Sequence, residues 1–446
     1  MFPRFPNPAA DRSASRTARR LPAWTLATAA GLSILTAPAA AQPRPGEPNP
    51  KYLERRKSND LTLRTTINVR AWQERPLERQ PAKREQGPQY DTWNFQTAAF
   101  VFPILEHTAS SDLRETEIDG VLTLEDREVD NSVTIITNFP VGAKYGRWDI
   151  VPPEGKEVVA REVELRVEMP IRVFETVFHD DAAARVAWPT GAWPPEAASA
   201  FQPMVYVDHD PIIGPYDMEP VKTIIKRWTD GNDPKKLAPV VLAKFLAGKV
   251  VEHTQPTGDG LAFNRNGLLE GISLRPVGEI AQRRRATPFE MSTFLCAVYR
   301  EAGLPARVVV GVTSGDAEEG NFLNRDKGDE ELRAWVEFAL FDEADGTLTW
   351  IPVDVLAMRK RSSRMRGNYW EKPIPFFGTH DDLDEIVPFA LHFFPPTTVR
   401  SYGGSGSPAF WGWFVTPQAP ERAIQSLRFE VFSTPSRGGD PRNRDR

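Results

Sequence analysis

The chain has 446 residues, of which 40% are hydrophobic and 26% charged, a composition that is usual for a folded protein of two or three domains. Its formal net charge of −5 at pH 7 argues against a general nucleic-acid binder. Because Cys296 is the only cysteine, an internal disulfide is excluded and stability must come from packing.

The first 41 residues are typical of an export signal. Five arginines precede an apolar stretch over residues 21–36, and Ala39-Ala40-Ala41 offers a small-residue cleavage site before Gln42. These arginines are Arg4, Arg12, Arg16, Arg19 and Arg20. The apolar stretch is too short for a membrane anchor and is interrupted by Pro22. We therefore expect export to the periplasm, the cell envelope or the extracellular medium, with no membrane span after signal cleavage.

Removal of residues 1–41 takes away five Arg and one Asp, so the mature chain carries a net charge of −9. Residues 42–60, rich in Pro, Lys and Arg, are predicted to be a flexible segment. Residues 61–215 are predicted to form a mostly antiparallel β domain. The clearest strand has Val163, Leu165 and Val167 alternating with charged residues, which indicates one buried face. Further strand patterns cover residues 61–72, 120–125, 132–138 and 145–151.

Two Trp-Pro pairs near the end of this β domain are interpreted as packing elements between domains. They are Trp188-Pro189 and Trp193-Pro194. An aromatic platform for sugars is the less favoured alternative, because most tryptophans are buried.

Helical patterns begin near Pro220. Residues 221–228 are amphipathic, and Asp233-Pro234 predicts a cap and first turn for a helix over residues 237–250. Residues 251–280 are rich in Gly and Asn and are predicted to be a loop.

The next helix has the strongest start signal in the chain. Thr287 and Glu290 form a capping box with Pro288 at the first helical position, and the helix is expected to stop at Gly303. Residues 307–313 predict a strand, and residues 332–341 with 347–353 predict a hairpin. A helix packed on an antiparallel sheet indicates an α+β fold.

The C-terminal region adds an aromatic cluster, Phe410-Trp411-Gly412-Trp413-Phe414, that is predicted to close the core. Residues 427–433 predict a last strand. Residues 403–407 are predicted to be a flexible turn, and residues 435–446 a disordered tail.

Four segments, in this order and spacing, resemble the transglutaminase-like family, a branch of the papain-like thiol enzymes. They are Ala286-Thr287-Pro288-Phe289-Glu290, Gly303-Leu304-Pro305-Ala306-Arg307, Arg333-Ala334-Trp335-Val336-Glu337 and Trp350-Ile351-Pro352-Val353-Asp354. The resemblance covers residues 221–354. It implies a papain-like core at residues 216–434, preceded by a β domain.

The resemblance also implies a catalytic triad of Cys, His and Asp, in which a thiolate attacks, the His takes its proton and the Asp orients the His. The three family positions fall on Pro288, Arg333 and Asp354, so only the Asp is present. Cys296 lies about 12 Å further along the helix and is predicted to be a buried core residue. The hydroxyls of Thr287 and Ser292 have no base nearby in the sequence.

Two interpretations of Arg333 remain open. It can form an ion pair with Asp354. This pair would keep the strand geometry that the family's His–Asp pair would have kept. Alternatively, it can belong to an anion or carboxylate site together with the basic runs Arg283-Arg284-Arg285 and Arg359-Lys360-Arg361. The candidate binding residues are Arg333, Arg285, Arg359, Arg361 and Trp335.

The histidines do not predict a metal site, and no cofactor is expected. His179-Asp180-Asp181, Asp208-His209-Asp210 and His380-Asp381-Asp382 lack ligand spacing, and surface turns and caps explain them better. Nothing in the sequence places His380 in the cleft.

Two functions are therefore considered. The first is an exported, non-catalytic transglutaminase-like module that binds a protein, a peptide or a cell-envelope polymer. The second is an active acyl-transfer enzyme of the cysteine-protease or transamidase type with relocated catalytic residues. Loss of both nucleophile and base favours the first, since either loss alone lowers the rate by orders of magnitude.

Overall fold

The computed structural model describes residues 51–71, 92–114, 117–150, 158–263, 269–313, 321–322, 332–399, 407–416 and 423–434. The predicted export signal, the predicted tail and almost all of the predicted turn at 403–407 lie outside these residues. The described residues belong to one compact unit.

Strands dominate the first part of the described chain. They are β1 (Leu53–Ala71), β2 (Trp93–Phe95), β3 (Thr97–Ile104), β4 (His107–Thr108), β5 (Ser111–Leu113), β6 (Asp119–Leu124), β7 (Arg127–Val129), β8 (Asn131–Ile136), β9 (Lys144–Ile150), β10 (Val158–Ala160) and β11 (Glu162–Phe178). Short helices and a hairpin follow, namely α1 (Asp180–Ala183), α2 (Pro195–Ser199), β12 (His209–Asp210) and β13 (Gly214–Pro215).

The second part mixes helices and strands. In chain order these are α3 (Glu219–Trp228), α4 (Pro239–His253), β14 (Gln255–Pro256), β15 (Leu261–Phe263), β16 (Leu269–Ile272), α5 (Val277–Arg283), β17 (Arg285–Ala286), α6 (Pro288–Glu301), β18 (Ala306–Thr313), β19 (Asn321–Phe322), β20 (Leu332–Asp342), β21 (Thr347–Val353), α7 (Val355–Arg361), β22 (Ile386–Leu391), β23 (Thr397–Val399), β24 (Ser407–Ala409), β25 (Gly412–Thr416) and β26 (Ala423–Ser433).

The largest sheet draws its strands from both ends of the chain. Its order is β19-β26-β1-β11-β5-β4, with β6 and β7 attached beside β11. β1 pairs with β11 from Leu53 to Arg70, and with β26 from Leu61 to Ala71. β1 therefore begins inside the segment predicted to be flexible. The sheet also crosses the predicted boundary at residue 215, so the proposed division into domains stays a prediction.

A separate antiparallel sheet of order β21-β20-β18-β22 carries α6 on its face. The α6 helix begins as the sequence predicts: Thr287 accepts a hydrogen bond from the Glu290 amide at 3.2 Å, and Glu290 accepts one from the Thr287 amide at 2.8 Å. The helix is followed by Gly303 at φ +89°, a conformation that favours glycine. The α+β fold class is thus confirmed.

A buried ion pair ties β18 to β20. The Arg307 guanidinium lies 2.7 Å from Glu337, and both side chains are at most 1% exposed. The second Glu337 oxygen accepts a hydrogen bond from the Ala109 amide at 2.9 Å. This pair therefore joins the core sheet to the N-terminal strands, since paired and hydrogen-bonded charges are the ones that survive burial.

Two local predictions around α4 and α5 were wrong. Asp233 caps a short 3-10 turn at Pro234–Lys236, and α4 begins only at Pro239. The predicted loop at 251–280 contains α5, which packs against α3 and α6. Whether so short a helix forms depends on such tertiary packing, not on its own sequence signal.

The aromatic elements are only partly in the core. Trp188 and Trp193 pack edge to face at 6.3 Å, and the Trp188 indole donates to the Leu237 carbonyl. Phe410 and Trp411 are fully buried, whereas Phe414 is 55% exposed. Within the described residues, none of the helices combines the length and apolar character that a bilayer crossing requires.

Candidate functional site

A cleft of about 490 Å³ opens where the start of α6 meets β20 and α7. Its apolar wall is formed by Leu261, Pro288, Phe289, Leu332, Leu356 and Phe376. Its charged groups are Asp259, Arg333, Asp354, Lys360, Arg361 and Asp382. The volume lies within the range of about 300–1,000 Å³ that is usual for ligand pockets.

Arg333 holds two carboxylates in this cleft. Its Nε lies 2.6 Å from Asp354 Oδ2, and its Nη1 lies 2.6 Å from Asp382 Oδ2. Burial opposes the charged guanidinium, but the two carboxylates outweigh it and raise the pKa of Arg333 above its usual value. The predicted ion pair with Asp354 is confirmed, and Asp382 joins it as a partner that the sequence did not reveal.

Asp354 uses both carboxylate oxygens. It directly follows β21, and its second oxygen accepts a hydrogen bond from the Ala357 amide at 2.7 Å, which caps α7. Its side chain is only 2% exposed. Asp354 therefore serves as a cap and as an ion-pair partner, and no hydrogen bond joins it to a histidine among the described residues.

Hydroxyl groups at the start of α6 are also engaged. Thr287 forms the helix cap, and Pro288 occupies the first helical position and lines the cleft. The Ser292 hydroxyl is buried and donates to the Ala334 carbonyl at 2.9 Å. No thiol or serine lines the cleft in the described residues.

The thiol of Cys296 is fully buried inside α6. Burial raises the pKa of Cys296 to about 12, with smaller opposing effects of Arg300 and Asp208. A thiol in this state is protonated at neutral pH and is not a nucleophile. The prediction that Cys296 is a core residue is confirmed.

His380 lies closer to this site than the sequence indicates. It is buried, with Nε2 3.3 Å from the Pro352 carbonyl and Nδ1 3.9 Å from Asp382 Oδ1. Because a carbonyl only accepts, Nε2 carries the proton, and Nδ1 then faces a carboxylate oxygen without a hydrogen bond. Burial lowers the pKa of His380, which keeps the ring neutral. The signal available in the sequence was the short spacing from His380 to Asp382.

The structure places only some of the predicted binding residues in the cleft lining. Arg333 and Arg361 line the cleft. Arg359 instead donates to the carbonyls of Val251 and Ser363. Arg285 is exposed outside the cleft lining, and Trp335 is fully buried. Their binding roles stay predictions.

Sequence reasoning missed several lining residues because distant segments supply them. Asp259 comes from the predicted loop before β15, and Phe376 and Asp382 come from the segment between α7 and β22. Among the described residues, no group of three or more His, Cys, Asp or Glu side chains is placed to hold a metal ion.

Comparison with known proteins supports the resemblance. Residues 271–355, which contain α5, α6, β18, β20 and β21, match the model of the transglutaminase-like superfamily. No curated protein matches the chain significantly.

Several solved structures are similar to this chain at low identity. A candidate cysteine protease from Cytophaga hutchinsonii is 10% identical, with a TM-score of 0.45 over 87% of this chain and 94% of that one. The periplasmic domain of TgpA from Pseudomonas aeruginosa is 12% identical, with a TM-score of 0.25 over 58% and 90%. Red sea bream transglutaminase is 12% identical, with a TM-score of 0.24 over 60% and 50%.

Proposed function

Because residues 271–355 form a transglutaminase-like domain, we propose that the protein binds a protein, a peptide or a cell-envelope polymer in the cleft and catalyses no acyl transfer. The observation that carries this proposal is the ion pair of Arg333 with Asp354 at the family's His–Asp position. Arginine stays protonated in proteins, so it cannot take a proton from a nucleophile.

The nucleophile position supports the same conclusion. Pro288 lines the cleft at the first position of α6 and offers no reactive group. Cys296 is fully buried, and the raised pKa keeps its thiol protonated. Neither half of the thiol chemistry is therefore present where the family would perform it.

The cleft suits a ligand that combines apolar and acidic groups. Phe289 and Phe376 contribute aromatic wall, while Lys360 and Arg361 are exposed at the rim. Arg333 already has two carboxylate partners, so its charge is matched internally. Among the basic groups of the lining, those exposed to solvent are Lys360 and Arg361, at the end of α7.

A thiol-labelling experiment tests the non-catalytic part. Native protein is treated with iodoacetamide and with a thiol-reactive acyl-enzyme trap, and modification of Cys296 is read by mass spectrometry. We expect labelling only after denaturation, which also serves as the positive control. Fold-dependent labelling of Cys296 that blocks an amidase activity would contradict the proposal.

Site-directed photo-crosslinking tests the binding part. Because Cys296 is buried, an Arg361→Cys variant carries one reactive thiol, to which a photoactivatable group is attached at the rim of the cleft. A Val159→Cys variant is the matched control, since Val159 is 60% exposed outside the cleft lining. We expect Arg361→Cys to capture a cell-envelope component that Val159→Cys does not. Identical capture by both would count against a ligand in the cleft.

The alternative function is an active acyl-transfer enzyme with relocated residues. One observation favours it, namely that His380 lies beside Asp382 at the back of the cleft. This enzyme would still need a nucleophile, and among the described lining residues the side-chain hydroxyl is that of Thr313. Amidase or transamidase activity that is lost in both Thr313→Val and His380→Asn variants would establish this alternative.

Export is proposed on the pattern of residues 1–41 alone. Mass spectrometry of the protein from fractionated cells tests it. We expect a chain that begins at Gln42 in the envelope or periplasmic fraction. A chain that retains the first 41 residues in the cytoplasm would contradict export.

A further inference from the structure

The hairpin of β12 and β13 presents two isoleucines at its tip. Ile212 is 80% exposed and Ile213 is 78% exposed, which makes them the most exposed large hydrophobic residues among those described. We define the hairpin tip as residues 211–213. Phe201, 40% exposed, lies in the chain segment that leads into the hairpin. Apolar side chains with so large an exposed fraction are typical of contact surfaces.

The hairpin tip is held in one conformation. Asp210 accepts hydrogen bonds from the amides of Ile212 at 2.8 Å and Ile213 at 3.0 Å. At the base, Asp208 accepts from the Met204 amide at 2.7 Å and forms an ion pair with buried Arg300 at 2.8 Å. A preorganised tip loses little conformational entropy when it docks, which favours binding.

The charge around the hairpin tip is acidic. Residues 204–219 contain no Lys or Arg, and they include four carboxylates. Asp208 is paired with Arg300 and Glu219 with Lys222, so the net acidity of the hairpin comes from Asp210 and Asp217. This composition disfavours contact with an anionic lipid surface and favours a partner surface with an apolar pocket and a basic rim.

The cleft of this same chain has those properties. Its wall is lined by Leu261, Phe289 and Phe376, and its rim carries Lys360 and Arg361. Its volume of about 490 Å³ is that of a pocket for side chains, not of a groove for a whole domain. The lining also contains Asp259, and Arg333 is matched by Asp354 and Asp382. The tip therefore complements the apolar wall in polarity, and it complements in charge the part of the rim that carries Lys360 and Arg361.

The two surfaces lie at opposite ends of α6. Pro288, at its first position, lines the cleft, while Arg300, near its last, anchors the base of the hairpin. At 1.5 Å per residue these positions are about 18 Å apart along the helix axis. A rigid hairpin therefore cannot enter the cleft of its own molecule, and any such contact joins two copies head to tail.

We propose that the cleft receives the hairpin tip of a second copy of this chain. The proposal rests on the proposed binding function and names a partner for the same site. Ile212 and Ile213 of one copy pack on the apolar wall, and the acidic flank of the hairpin faces Lys360 and Arg361 of the other. Because so small a tip buries less area than a stable interface, the association is weak and depends on concentration.

Sedimentation velocity over a wide range of concentration tests this proposal. We expect reversible association of the purified protein that is at least tenfold weaker in an Ile212→Ser/Ile213→Ser variant. The matched control is Val159→Ser, which removes an exposed apolar residue elsewhere and leaves association unchanged. A purely monomeric protein, or an equal effect of both variants, would overturn the proposal.

Mixing two defective variants tests the head-to-tail geometry. The Ile212→Ser/Ile213→Ser variant keeps an intact cleft, and a Lys360→Glu/Arg361→Glu variant keeps an intact tip. Each alone is expected to be monomeric, while the mixture forms one-to-one dimers and nothing larger. Failure of the mixture to form dimers, while the wild type associates, would show a different contact and overturn the proposal.

Failure of this inference is distinguishable from failure of the proposed function. A monomeric protein whose Arg361→Cys variant still captures an envelope ligand overturns the tip contact and leaves the binding function standing. An acylated Cys296 overturns the binding function, and mass spectrometry detects it independently of sedimentation.

Discussion

At the scale of single residues, Arg333 pairs with two carboxylates in the cleft. Two carboxylates lie 2.6 Å from its guanidinium, one of them on a side chain that is only 2% exposed. An ion pair of this kind is costly to break because the remaining charge is left without a partner. Arg333 and Asp354 therefore stabilise the fold, whether or not a ligand is bound.

An Arg333→Ala variant tests this structural role. We expect the free energy of unfolding to fall by about 3 kcal/mol, because Asp354 is left buried and unpaired. Chemical denaturation measures the change. An Arg333→Ala/Asp354→Asn variant is the control, since asparagine still caps α7 without a charge, and it is expected to recover more than half of the loss. A loss below about 0.5 kcal/mol in the single variant is typical of a surface site and would contradict this role.

His392 makes stability depend on pH. It is 6% exposed and accepts a hydrogen bond from the Val308 amide, and burial, then Arg300 and Arg307, hold its pKa well below 6.5. Below pH 6.5 the unfolded chain binds a proton that the folded chain does not, so stability falls as the pH falls. One such group contributes a slope of about 1.4 kcal/mol per pH unit.

A His392→Asn variant isolates this contribution. Asparagine can accept the same hydrogen bond and tolerates the positive φ of 52° at this position. In urea denaturation between pH 8 and pH 5, the free energy of unfolding of the variant is expected to fall less steeply with falling pH than that of the wild type. The difference between the two slopes corresponds to about one proton. Parallel pH curves for the two proteins would show that His392 titrates normally.

At the scale of the element, α6 presents a capped N-terminus to the cleft. The capping box between Thr287 and Glu290 is intact, and Arg275 holds the buried Glu290 carboxylate. The helix N-terminus still faces the cleft through Pro288. Such a terminus lowers the pKa of a thiol that is placed on it.

A Pro288→Cys variant tests whether this element can still activate a thiol. We expect the new thiol to react with iodoacetamide in the native protein, with a pKa at least one unit below about 8.5, because the helix terminus favours the thiolate. The Val159→Cys variant is the control with an unperturbed, exposed thiol. Equal pH profiles for the two variants would show that the α6 terminus no longer activates a thiol.

At the scale of the whole molecule, the first and the last strand of the described chain meet in one sheet. β26 pairs with β1 from Leu61↔Ser433 to Ala71↔Ala423, and the Glu337 carboxylate of the core sheet bonds to the Ala109 amide. The predicted β domain and the predicted core therefore contribute strands to one sheet. A hydrogen bond also joins the buried ion pair of the core to the β domain. This architecture favours cooperative folding of both halves.

Expression of residues 216–434 alone tests this coupling. Without β1, the strand β26 loses its main partner and exposes an unpaired edge. We expect the fragment to lack a cooperative unfolding transition in circular dichroism, and to gain one when residues 42–215 are co-expressed. A cooperative transition in the isolated fragment would establish the boundary at residue 215.

Local signals predicted local structure well. The capping box, the Gly303 stop and the turn around Gly346 each depend on residues a few positions apart, so α6 and the β20–β21 hairpin could be predicted. The pairing of Arg333 with Asp354 followed from the family resemblance. Asp382 and His380 could not be placed, because their segment has no pattern that specifies where it folds.

The sequence by itself determined the reactivity of each side chain. Residue type alone establishes that Pro288 carries no nucleophile and that Arg333 stays protonated. Only the tertiary structure decided that Asp382 completes the ion pair and that Ile212 and Ile213 remain exposed to solvent. The reason is physical: reactivity belongs to the side chain, whereas burial and pairing depend on contacts between segments far apart in the chain.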